Sequence, residues 1–193
     1  MRKQKWLWVF CLVSIFLFSP VSSADSGSNA KPYLSSVKPL LDLTNVHDAA
    51  RAWGVCAAAY NVTSEIYEEL LEQPAQAKQM RQLSNGAEVV IAVMYLLDGL
   101  KDIEEDDFDH MSKAFKSSWE YGKEAMNSIP ETQYVSMVAD GERLVMAGAD
   151  YKEFVDSIFM TTRVCVESLE VQQMHIDIYR DFVRKGWLAQ PEK

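Results

Sequence analysis

Nine positions in the C-terminal third recur at alternating three- and four-residue spacing: Val155, Ile158, Thr162, Cys165, Leu169, Gln172, Ile176, Tyr179 and Val183. That spacing puts one stripe on one face of a helix over about four heptads. A seam this long cannot be satisfied by water. It needs facing helices, so the chain is constrained to an all-α helical bundle. The helix is expected from about Asp150 to Lys185, or ~54 Å at 1.5 Å per residue. Gly186 supplies the residue that most readily ends it, with Trp187 and Leu188 folding back on the core.

Four further helices follow from the same spacing, giving about five in all. The first starts at Val46, capped by Thr44 or Asn45, and shows Trp53, Cys56, Tyr60, Thr63, Tyr67 and Leu70 on one face. The second starts at Pro74 or Ala75 and shows Met80, Leu83, Ala87, Val90, Met94 and Leu97. That face runs through Gly86, so the helix is expected to continue although Gly costs it roughly 1 kcal/mol relative to Ala. From Ala87 to Leu97 only Glu88 is charged, which suits a central position. The third runs from about Asp107 or Phe108 along Met111, Phe115, Trp119, Gly122, Met126 and Ile129, and Pro130 is expected to end or sharply bend it. The fourth covers about 131–147 with Tyr134, Val138, Gly141 and Val145; Gly148 is read as its stop.

The N-terminus has a different character. Arg2, Lys3 and Lys5 precede an apolar run, Trp6–Phe18, in which only Ser14 is polar; Pro20 and the small residues Ser22-Ser23-Ala24 follow. This is the layout of a cleavable export signal over 1–24. The run is shorter than the ~20 residues a spanning helix needs, so no stable membrane span is expected after cleavage. Residues 25–44 read as a flexible lead-in, in which Leu34, Val37, Leu40, Leu41 and Leu43 have the means to dock as a short turn, and 45–193 as one helical domain. The expected destination is the periplasm or the exterior of a bacterial cell.

Cleavage would remove Cys11 and leave Cys56 and Cys165 as an even pair in an oxidising compartment. Both lie on the inward stripes of their helices. A disulfide between them is expected, and with it side-by-side packing of the first and last helices.

Cleavage would also take away three basic residues and no acids, deepening the net charge from −9 to about −12. This disfavours nucleic acid, whose binding needs clustered Lys and Arg, and disfavours anionic membrane surfaces. It favours a basic protein partner.

Motifs for chemistry are missing. Asp102, Glu104 and Asp106 match the first three alternating ligands of a helix–loop–helix calcium site, but Asp107 stands at the glycine position and Lys113 at the closing glutamate. We read the segment as a solvated turn feeding a helix N-terminus. His47, His110 and His175 sit in three different segments, without the repeated Glu-x-x-His of di-iron bundles. No Gly-x-Ser-x-Gly or phosphate-binding glycine loop occurs. Asn61-Val62-Thr63 is a formal glycosylation acceptor set in mid-helix. We assign no catalytic, cofactor-binding or metal-ligating residue, and lean away from an enzyme. Two polar residues interrupt apolar helices, Glu88 and Gln172. Each either sets register through a buried hydrogen bond or lines a small-molecule cavity. Two functions follow as expectations: a non-enzymatic interaction or accessory protein for an unknown, basic partner, or a small-molecule carrier or sensor with an apolar cavity between helices.

Overall fold

The structure, a computed structural model, describes residues 30–42, 44–103, 108–147 and 151–188. The expected export signal over 1–24, Glu104 to Asp107 of the acidic segment, and Gly148 lie outside the described residues. Six α-helices are present among the described residues: α1 Lys38–Leu41, α2 Val46–Glu65, α3 Pro74–Leu100, α4 Phe108–Met146, α5 Tyr151–Val166 and α6 Leu169–Arg184. No strand occurs among the described residues.

Helix α2 begins where Asn45 accepts a hydrogen bond from the Asp48 amide, at 3.2 Å. This satisfies one of the free N–H groups of the first turn. The helix is buried on nearly every side, because Gly54 and the run Ala57-Ala58-Ala59 let several neighbours close in. It packs against α1, α3, α4 and α5. Helix α3 runs unbroken through Gly86, as expected, and touches α2, α4 and α6. Its length and mean hydropathy (1.4 over the most apolar stretch) would also suit a membrane span, yet 56% of that stretch is buried inside the bundle, as in a core helix. Gly86 has a reason beyond tolerance. A Cβ there would lie 2.1 Å from Gln172 Nε2, which crosses from α6 to donate to the Leu83 carbonyl at 2.9 Å.

Cys56 and Cys165 are joined in a disulfide, with 5.5 Å between their Cα atoms, and this ties α2 to α5. Farther along the same antiparallel interface, the buried hydroxyls of Thr63 and Thr162 are hydrogen-bonded at 2.8 Å. The lead-in lays Leu34 and Leu40 into the core, the Tyr33 amide donates to Thr161 Oγ1, and the Trp53 indole N–H donates to the Leu40 carbonyl.

Two helix boundaries differ from expectation. The third and fourth expected helices are one, α4, with Pro130 inside it. Pro130 removes a backbone donor and costs ~3 kcal/mol in a helix interior. Packing on both sides of it holds the helix together. Gly122 lies against the Ala92 backbone, Ile129 fills the space over Gly54, and Met137 is buried. The last expected helix, in contrast, is two. Ser168 interrupts it, its amide bonding to the Cys165 carbonyl in a tight turn. Serine competes for backbone partners and favours helix starts over interiors. The break divides the seam: α5, with Cys165, packs on α2, and α6, with Gln172, packs on α3. So the first long helix packs chiefly on the first half of the predicted last one. At the far end, Gly186 takes a positive φ of 74°. Its amide bonds to Val183 and that of Trp187 to Phe182, closing the carbonyls of the last turn. Leu188 is buried, and Trp187 stacks on Phe182 while largely exposed.

Candidate functional site

The most irregular backbone in the bundle follows α2. Residues Ile66–Leu70 form a π-helical turn, with the Leu71 amide reaching back five residues to the Ile66 carbonyl. Glu72 then takes a positive φ of 51°, uncommon for a residue with a side chain. One extra residue in a turn rotates everything after it by about 100°. The inward stripe of α2 therefore ends early. Thr63 is buried, Tyr67 is half-buried, and Leu70, expected on the core face, is 58% exposed.

Leu70 borders a groove of about 480 Å³ framed by the end of α2, the C-terminal part of α4 and the start of α5. Val62, Ile66, Val138 and Phe154 form an apolar floor, and Met146 (78% exposed) and Tyr151 extend it outward. Gly141 makes the floor possible. A Cβ at that position would lie 3.1 Å from the Phe154 ring. Glu65, Glu69 and Glu142 are the charged residues lining the groove.

On the other side of Glu65 lies a second cleft, of about 370 Å³, between α2, α3 and α4. It is more polar. Its lining includes Asn61, Ser64, Glu65, Glu88, Asn127 and Glu131, over apolar Met126 and Pro130. The Tyr134 hydroxyl donates to Glu65 Oε1 at 2.6 Å, and this bond, with burial, pushes the phenol up to about 12. Arg81, the cation of this lining, is already bound to Glu68 at 2.7 Å. Ser64 is 1% exposed, and its hydroxyl has no hydrogen-bond partner among the described residues.

Glu88 and Gln172 thus serve different places. Glu88 lines the polar cleft, half-buried, and burial pushes its carboxyl above the ordinary range. Gln172 borders none of these grooves; its amide nitrogen serves the Leu83 carbonyl. His175 is buried too, its Nδ1 2.9 Å from the Val171 carbonyl, and desolvation lowers its pKa. Among the described residues no group of three or more His, Cys, Asp or Glu is arranged to hold a metal ion.

A stability prediction follows from Glu88. The folded chain holds this proton more tightly than the unfolded chain, so stability falls as pH rises from near 4.5 through the raised value. Glu88→Gln is therefore expected to stabilise the protein at pH 7, modestly because solvent screens a half-exposed carboxyl, and to do little at pH 3. Urea titrations at the two pH values check it; destabilisation at pH 7 would contradict it.

Sequence reasoning named Glu88 but placed Leu70 in the core and missed the groove. The available signal was the run of acids, Glu65, Glu68, Glu69 and Glu72, alternating with Leu70 and Leu71 at the end of an otherwise alanine-rich helix. No family model, curated protein or solved structure matches the chain.

Proposed function

We propose that the protein is a non-enzymatic binding module, working in the periplasm or outside the cell, that holds a basic amphipathic segment of a partner protein. The groove at the end of α2 carries this reading. It joins exposed Leu70, Met146 and Tyr151 to Glu65, Glu69 and Glu142, with no lining cation among the described residues. An apolar patch rimmed by polar residues marks an interaction surface. Amphipathic helices dock by laying their apolar face in such grooves, and the acids select lysine or arginine on the flanks. The π-turn supports the same reading, since such turns concentrate at functional sites. The overall negative charge would steer a basic partner toward the groove. The disulfide is consistent with an oxidising compartment.

A lysine–leucine peptide of about 18 residues with helical periodicity serves as the probe. It is expected to bind with micromolar affinity that weakens as salt rises. Glu69→Lys with Glu142→Lys is expected to weaken it at least tenfold, about 1.4 kcal/mol. Fluorescence anisotropy reads the affinity. Equal binding by the charge-reversed variant would sink the proposal.

A further inference from the structure

The cleft between α2, α3 and α4 is not needed for docking a helix, and its chemistry differs from that of the groove beside it. We propose that this cleft binds a small aliphatic amine carrying two or more ammonium groups.

Three observations support a cationic ligand. Glu88 sits half-buried in the cleft, and its carboxyl makes no hydrogen bond or ion pair with a described residue. Ser64 adds a fully buried, unpartnered hydroxyl on the same wall, and buried polar atoms in native proteins nearly always find a partner. Arg81 does not neutralise these acids, because Glu68 already holds it. An anion would meet Glu65, Glu88 and Glu131 at close range.

The arrangement also favours an extended cation over a compact one. The carboxylates do not gather at a point that suits a metal ion. Glu65 is further held back by the Tyr134 hydroxyl. Charges spaced along a chain meet spaced carboxylates, and the methylenes between them match the apolar surface of Met126 and Pro130. Each ammonium offers three donors, enough for a carboxylate together with the Ser64 hydroxyl or the amide oxygens of Asn61 and Asn127. The cleft volume of about 370 Å³ lies in the range of small-molecule sites.

A bound ammonium favours ionised Glu88, so binding should weaken as pH falls. Glu65, Glu131, Tyr134 and Arg81 face the same cleft and share this field. The site is independent of peptide docking in the neighbouring groove. Its test therefore uses Glu88 and leaves Glu65, which the two share, untouched.

Calorimetric titration of the purified disulfide-bonded protein with spermidine is expected to show one site at sub-millimolar affinity. Glu88→Gln should weaken it at least tenfold without lowering the melting temperature. Hexaamminecobalt(III) has the same charge and no chain, and should bind at least tenfold more weakly. Three results would overturn the proposal: no spermidine binding at millimolar concentration, equal binding by Glu88→Gln, or equal binding of the cobalt complex. A short polylysine peptide that outcompetes spermidine through Glu88 would also overturn it, assigning the cleft to lysine side chains of a protein.

Discussion

Replacing Cys56 and Cys165 together by serine is expected to cost about 4 kcal/mol. The bond spans 109 residues, and closing a loop of that size restricts the unfolded chain strongly in the chain-entropy account. The native-state loss adds to this. Both cysteines are fully buried, and the interface they pin also holds the buried Thr63–Thr162 hydrogen bond. Serine would leave two buried hydroxyls where a sulfur bridge was. A loss of this size lowers the melting temperature by roughly 10 °C for a domain of this length. Paired thermal melts of the wild type and the double variant measure it, with the reduced wild type as a second comparison. A drop under about 2 °C would mean that α5 is held on α2 by packing alone.

The second large effect is expected at Gly122. A Cβ there would lie 2.6 Å from the Ala92 carbonyl oxygen and 3.1 Å from the Ala92 Cα. These are backbone atoms of α3, so no side chain can turn away to make room. Gly122→Ala is expected to cost about 2 kcal/mol even after the gain in helix propensity, and Gly122→Val about 4 kcal/mol. Gly99 provides the contrast. Its added Cβ would meet the Ser118 side chain, 1.9 Å from Oγ and 2.7 Å from Cβ, while the nearest backbone atom lies 4.0 Å away. Turning the hydroxyl relieves only part of this contact, so Gly99→Ala is expected to cost about 1 kcal/mol, less than Gly122→Ala. Denaturant midpoints for the three variants give the ranking. If Gly122→Ala proved as mild as Gly99→Ala, the close approach of α3 and α4 would be wrong.

Much of this fold was written in residue spacing. The start of α2 at Val46, the unbroken run of α3 through Gly86, the stop at Gly186 and the cysteine pair all follow from local rules. Caps, inward stripes and turn residues act over a few positions, so the sequence displays them directly. The errors came where tertiary contacts outweigh a local preference. Pro130 should stop a helix, yet Gly122, Ile129 and Met137 anchor α4 on both sides of it. Ser168 looks like one polar residue in a long seam, yet it redirects the chain from α2 to α3. Nothing at Cys165 or Gln172 reveals that the two halves of their stripe face different helices.

The candidate site was less legible for a related reason. Spacing analysis assumes one constant period, and the π-turn at Ile66–Leu70 changes it in the middle of a stripe. Leu70 therefore counted as core when it is surface. Glu88 stood out because it is a charge in an apolar run, but the residues that give it a setting come from α2 and α4. Ser64 carried no signal at all. Its significance depends on burial and on having no hydrogen-bond partner among the described residues.

The reading of the groove at the end of α2 has a natural competitor on the same molecule. Helix α6 also presents Met174, Ile178 and Phe182 beside Glu170, Asp177 and Asp181. That surface is one side of a single helix, whereas three helices frame the groove. Amide NMR spectra of the isotope-labelled protein, titrated with the lysine–leucine peptide, separate the two directly. The groove reading predicts saturable shifts concentrated in 62–70, 138–146 and 151–154, lost in Leu70→Asp. Shifts centred on 170–182, or a scrambled peptide of the same composition binding equally well, would contradict it.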